Sequence, residues 1–202
     1  KDYDDAIYFD EKNQILYVAI ADVSHYVKPN TKLDKEALNR GFTIYFPHKS
    51  IPMLPRTLSE NLCSLVPHLN RLAYVCEMKI ENNCIIDSSF YEAVIHSKQR
   101  FNYDEVDKFL DKKEPFPVDF LSLEPLFELS KIWRKERLKN GFNFNHKEIS
   151  IHLTRGLTIE KTSYSNNTAS HQLIEECMLL TNQETAKKLN NKGIFRIHQS
   201  PS

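Results

Sequence analysis

The chain has 202 residues, with 27 Lys plus Arg balanced by 27 Asp plus Glu, so its formal net charge is zero. That balance excludes a global basic field that would draw in nucleic acid and an acidic solvating tail, so any charged partner has to be held locally. Leu, Ile, Val and Phe make up 57 of the residues, enough to close a hydrophobic core, and no apolar run is long enough to cross a bilayer.

Lys1 stands where a Met would begin a gene product, and strand-like sequence follows at once, so the chain is read as an excised piece. Its start also lacks the basic, apolar, small-residue order of an export signal. Ala6 to Phe9 and Ile15 to Ala21, separated by Asp10-Glu11-Lys12-Asn13, predict a β-hairpin with Asp2, Asp4 and Asp5 at its open mouth. Thr31 can cap a helix running to Arg40, stopped by Gly41. Thr57 with Glu60 three residues on suggests a capping box opening a helix that carries Leu58, Leu62 and Leu65.

From Leu72 the alternation of Leu72, Tyr74, Cys76, Met78 and Ile80, followed by Asn82-Asn83 and the run Ile85 to Ile95, predicts a long antiparallel ribbon. Asn102, with Glu105 at the third position, caps a helix from Tyr103 to Lys112, and the Pro-containing stretch Lys113 to Phe120 is a connection. A longer helix spans Ser122 to Asn140, with Leu123, Leu126, Leu129 and Trp133 as its buried stripe. Its Lys131, Arg134, Lys135, Arg137 and Lys139 are read as a solvated basic face ended by Gly141. Glu148 to Leu153 and Leu157 to Tyr164 bracket Arg155-Gly156 as another hairpin, then a helix covers Ala169 to Asn190 and a short strand Phe195 to His198. Helices mixed with hairpins give an α+β class.

Cys63, Cys76, Cys84 and Cys177 form no C-x-x-C pair and fall in apolar segments, the pattern of reduced core thiols in a cytoplasmic protein. Asp22 is read as a turn or cap residue, and the eight histidines show no zinc spacing. The three acids in Asp2-Tyr3-Asp4-Asp5 repel one another unless a cation sits among them. In extended backbone Asp2 and Asp4 point to one side and Asp5 to the other. Glu175 and Glu176 interrupt an otherwise apolar helix at Leu173, Ile174, Cys177 and Met178, so at least one faces solvent or a polar cleft; periodicity does not choose between them.

Five strings occur in order: Asp2-Tyr3-Asp4-Asp5-Ala6, Ile20 to Val27 (IADVSHYV), Ile51-Pro52-Met53-Leu54-Pro55, Leu62-Cys63-Ser64-Leu65 and Leu173 to Met178 (LIEECM). Together they resemble the catalytic (RNB) domain of the ribonuclease II / ribonuclease R family, closer to the ribonuclease R branch, over the whole chain. The resemblance implies a mixed, largely antiparallel sheet with helices packed around a channel, and makes residues 1–202 the central part of a single domain truncated at both ends. It implies processive 3′→5′ hydrolysis of RNA to 5′-mononucleotides with Mg²⁺, two ions being expected and Mn²⁺ an alternative. Asp2, Asp4 and Asp5 match the last three acids of a four-Asp metal motif, with Asp4 and Asp5 as the catalytic pair.

By the same resemblance Tyr45 stacks on a base, Tyr103 lies near the terminal nucleotides and Glu175 contacts the 3′-terminal ribose. Without it, Tyr45 reads as core packing beside Phe42 and Phe46. The implied partners are single-stranded RNA 3′ ends and flanking OB-fold domains, with no membrane and a monomeric state. The resemblance also implies a fourth Asp before residue 1 and an Arg after residue 202, so the isolated chain is expected to be inactive. A non-catalytic RNA-binding module is the alternative. A nucleotide-sugar site at Asp2-Tyr3-Asp4 is disfavoured, because four glycines form no Gly-rich turn.

Overall fold

The computed structural model describes residues 2–115, 117, 120–139, 141, 148–165, 167–195 and 197. The first hairpin forms as expected, one residue longer at each end of its first strand: β1 (Asp5–Asp10) pairs antiparallel with β2 (Ile15–Ala21), Asp5 opposite Ile20. Asp22 is buried and caps the short helix α1 (Val23–Tyr26), accepting from the His25 amide at 3.0 Å and the Ser24 hydroxyl at 2.7 Å. The Ser24 bond holds its carboxyl below the usual range against the opposing effect of burial. Thr31 caps α2 (Lys32–Arg40) through the Asp34 amide, and Gly41 ends it at φ 77°, where a Cβ is unfavourable.

A two-stranded sheet follows, β3 (Ile44–Tyr45) with β4 (Ser50–Ile51). The capped helix expected after Thr57 is absent: Leu58–Leu62 is one π-helical turn, and Thr57 is itself helical with no side-chain cap. Glu60 instead pairs with Arg56, which also donates to the Ser50 carbonyl, so the capping-box carboxylate is engaged elsewhere.

The ribbon β5 (Asn70–Glu81) and β6 (Cys84–His96) turns through Asn82 and Asn83, both left-handed at φ 50° and 64°, which asparagine tolerates. β5 also pairs with β2, giving a four-stranded antiparallel sheet of order β1-β2-β5-β6. α3 (Tyr103–Leu110) starts with the expected capping box but stops two residues early, since Lys112 has φ 58°. α4 (Leu123–Leu138), β7 (Glu148–Leu153) with β8 (Ile159–Ser165), and α5 (Ala169–Leu189) complete the described elements. The strand expected over Phe195 to His198 falls partly outside the described residues; Phe195 and Ile197 pair with no strand.

The core lies between one face of the sheet and two helices. Phe9, Leu16, Val18, Cys76, Met78 and Ile80 pack against Leu126, Leu129 and Trp133 of α4 and Leu173 and Cys177 of α5. A smaller cluster joins Ala19, Ala73 and Val75 to Leu65, with Tyr3 and Ala6 at its edge. Cys84 departs from expectation: it is exposed beside the Asn82-Asn83 turn, whereas the other three thiols are buried.

α3 is fastened to the start of α5 through Asp107. Its Oδ1 accepts from the Ser170 amide at 2.9 Å, while the Ser170 hydroxyl donates to the Tyr103 carbonyl at 3.2 Å. Burial pushes the Asp107 carboxyl up, but bonds from Thr168 and Ser170 outweigh it and hold the pKa below its ordinary value of 3.8. A lowered folded-state pKa contributes stability that is present above the unfolded value and lost as pH falls through the folded one. Asp107→Asn is therefore expected to cost about 1 kcal/mol in urea denaturation near neutrality and progressively less below pH ~4. A pH-independent loss would exclude the ionised carboxylate as the stabilising group.

Candidate functional site

The acids sit where the chain enters the sheet, and their backbone is tied down before β1 begins. The Tyr3 amide donates to Ser64 Oγ at 3.1 Å and its carbonyl accepts from the Leu65 amide at 2.8 Å, while the Asp4 carbonyl accepts from the Ala21 amide at 2.8 Å. Ser64 is wholly buried, and Arg71 locks its turn by donating to the Ser64 carbonyl at 3.0 Å and to Asn61 Oδ1 at 3.1 Å. The Arg100 guanidinium lies 5.1 Å from the centre of the Tyr3 ring. With these backbone groups satisfied, the Asp2, Asp4 and Asp5 side chains remain free to face outward, and all three residues are exposed.

The electrostatics follow the alternation of extended chain. Partial burial, then the charge of Asp2, raises the Asp4 carboxyl above its usual range; partial burial, then Asp4, raises Asp5. Asp4 also pushes up the Cys63 thiol, after burial and Asp22. Asp5 likewise raises Tyr103, after burial, and Cys177, which burial, Glu176 and Asp5 push up to about 12. Asp4 thus feels Asp2 and Asp5 feels Asp4, while the charge of Asp5 also reaches Tyr103 of α3 and Cys177 of α5.

Among the described residues no Lys, Arg or His pairs with any of the three acids. Nor does any group of three His, Cys, Asp or Glu among them come together as a metal cage. The residues present nevertheless suit Mg²⁺, which uses hard oxygen ligands and is held by one or two carboxylates with water and substrate phosphate completing its shell. Partly desolvated carboxylates at Asp4 and Asp5, without a cationic partner among the described residues, are oxygen donors of that kind.

Tyr103 and Glu175 are brought to one side of α5. Tyr103, the half-exposed first residue of α3, stacks on His171 with ring centroids 3.6 Å apart and planes at 20°. Thr168 Oγ1 fixes His171 through Nδ1 at 2.6 Å. Glu175 is one helical turn beyond His171, on the same face. The adjacent glutamates part company: Glu176 is 2% exposed, while Glu175 stays at the surface edge.

Two arginines of α4 account for that difference, and they correct the reading of a uniformly solvated basic face. Arg137 donates through Nε to Glu176 Oε2 at 3.1 Å and through Nη2 to Oε1 at 2.5 Å, reaching Glu175 Oε1 at 3.3 Å. Arg134 Nη1 lies 3.1 Å from both Glu175 Oε2 and Glu176 Oε1. Sequence reasoning missed these arginines and Ser64. The available signal was two adjacent acids on an apolar helix, which demand cationic partners elsewhere.

Tyr45 stands apart on β3, in a sheet separate from the acids, and is 75% exposed beside exposed Phe42 and Phe46. Core packing therefore does not explain it. The resemblance also implies a second stacking ring from near Phe142 or Phe144 without choosing between them, and both lie outside the described residues.

Comparison with known proteins gives these positions a family. The RNB domain model matches residues 1–202. Ribonuclease R of Helicobacter pylori is 41% identical over 208 residues, covering 100% of this chain and 32% of the relative; that of Escherichia coli is 41% identical over 214 residues, covering 100% and 26%. The chain thus spans about a third or less of the curated relatives it matches. Mycoplasma genitalium RNase R in complex with ribose-methylated single-stranded RNA superimposes with a TM-score of 0.92 at 38% identity, covering 100% of this chain and 33% of that one. The mixed helix and antiparallel-sheet architecture is that of RNase R, and the chain belongs to the RNB domain family.

Proposed function

We propose that this chain is the central part of the catalytic domain of a metal-assisted 3′→5′ exoribonuclease that removes 5′-mononucleotides processively from single-stranded RNA ends. The observation that carries this reading is the placement of Asp4 and Asp5, exposed on a backbone fixed by Ser64, Leu65 and Ala21, with no cationic partner among the described residues. The RNA-bound relative from Mycoplasma genitalium supports RNA as the ligand class.

In this reading Asp2, Asp4 and Asp5 hold Mg²⁺, or Mn²⁺ in its place. When bound, a pair of such ions supplies activation of the attacking water and charge stabilisation at the scissile phosphate. Tyr103, backed by His171, offers its outer ring face to the terminal nucleotides. Glu175 accepts a hydrogen bond from the 2′-hydroxyl of the last ribose, the group that separates RNA from DNA. Tyr45 stacks on a base farther from the end, which suits a processive enzyme because every base offers a π-face. Flanking OB-folds supply further grip on RNA, and the protein acts as a cytoplasmic monomer; its free thiols accord with a reducing compartment.

Single-turnover decay of a 3′-extended RNA by the full polypeptide tests the site. Asp4→Asn is expected to retain RNA binding while cleavage slows by more than about a hundredfold, since even residues supporting metal ligands contribute about 10–100-fold. Unchanged cleavage would remove Asp4 from the mechanism. Tyr45→Ala is expected to leave the chemical step intact and change the length of the residual oligonucleotide, through loss of about 1–3 kcal/mol of stacking. An identical end product would leave Tyr45 without a role in the RNA path.

A further inference from the structure

We propose that Arg134 and Arg137, tied to buried Glu176, are positioning residues that set the Glu175 carboxylate for recognition of the terminal ribose. The inference rests on the ribose-contacting role of Glu175 proposed above and names what holds that contact in place.

The geometry runs outward from the core. Glu176 is 2% exposed, and a carboxylate so buried requires a partner of opposite charge with matched hydrogen bonds. Arg137 meets it with a two-pronged fork, Nε to Oε2 and Nη2 to Oε1. Arg134 then links the buried acid to the outer one, its Nη1 lying 3.1 Å from an oxygen of each. The side chains grade in exposure from 3% at Glu176 to 13% at Arg134, 29% at Arg137 and 39% at Glu175. A rigid neutral quartet therefore ends in one carboxylate at the surface.

Each Glu175 oxygen accepts from a guanidinium on the α4 side, at 3.1 and 3.3 Å, with Asn167 Nδ2 3.4 Å from Oε2. A carboxylate oxygen has two acceptor sites, so among the described residues one stays available on Oε1 for a hydroxyl donor. A free glutamate would sample several rotamers and lose that freedom on binding. α4 is itself immobilised by Leu126, Leu129 and Trp133 in the core, and Trp133 Nε1 donates to the Asn83 carbonyl at 2.7 Å. The position of α4 in the core thus determines where the Glu175 carboxylate stands.

The test measures binding of two oligonucleotides, ending in a 3′ ribose or a 2′-deoxyribose, to the full polypeptide carrying Asp4→Asn to halt cleavage. Glu175→Gln is expected to lower the ribose-over-deoxyribose affinity ratio by about tenfold, and Arg134→Met to lower it comparably. The double variant should lose no more than Glu175→Gln alone, and Arg134→Lys should recover part of the ratio. If Glu175→Gln lowers the ratio while Arg134→Met weakens both oligonucleotides equally, or if the two effects add, the positioning role is overturned. Should Arg134→Met not fold, an unchanged ratio in Arg134→Lys and Arg137→Lys overturns it instead. An unchanged ratio in Glu175→Gln overturns the ribose contact itself, an outcome separable from failure of the arginines.

Discussion

Tyr3 is gripped through both of its backbone polar groups, and the disposition of the acids depends on that grip. Ser64 and Leu65 fix the chain just before it enters the sheet, so the register of β1 is set from outside the strand as well as by its pairing with β2. A one-residue slip would exchange the faces of Asp4 and Asp5 and move Phe9 out of the core. The hydrophobic and the electrostatic requirements therefore agree on one register. Carboxylates that burial and mutual repulsion hold above their ordinary pKa persist because the surrounding core over-determines their place.

A second constraint is ionic and lies between helices. Taking Glu176 out of water costs more than an ion pair usually returns, so the quartet with Arg134, Arg137 and Glu175 is poorly explained as a source of stability. Apolar side chains along the same helices already supply the burial. Directional bonds do what apolar contact cannot: they fix the rotation of α5 relative to α4. Since His171 and Glu175 share one face of α5, that rotation also governs where the Tyr103 stack meets the outer carboxylate.

Much of the fold was legible because its signals are local. Asn82-Asn83 announces a turn whose left-handed backbone asparagine accepts, and Asn102 with Glu105 makes the capping box at α3. Thr57 with Glu60 has the same pattern and failed, because Arg56 captured the glutamate and the following turn widened to a π-helix. Cys84 resembled a core thiol by its neighbours, yet it opens β6 beside an exposed turn. The site was legible only in part. The alternation of Asp4 and Asp5 follows from the two-residue period of extended chain, but the burial of Glu176 and the surface position of Glu175 depend on Arg134 and Arg137, about forty positions away. Long-range pairing of this kind leaves no periodic trace in either helix.

Trp133 joins α4 to the tip of the β5–β6 ribbon through its indole N–H, and it is the single tryptophan of the chain. Its ring is buried in the helix–sheet core while its polar edge is spoken for by Asn83. Intrinsic fluorescence in this chain consequently has one tryptophan source, seated at the seam between helix and ribbon, so separation of that seam would register as a change in emission without any label attached.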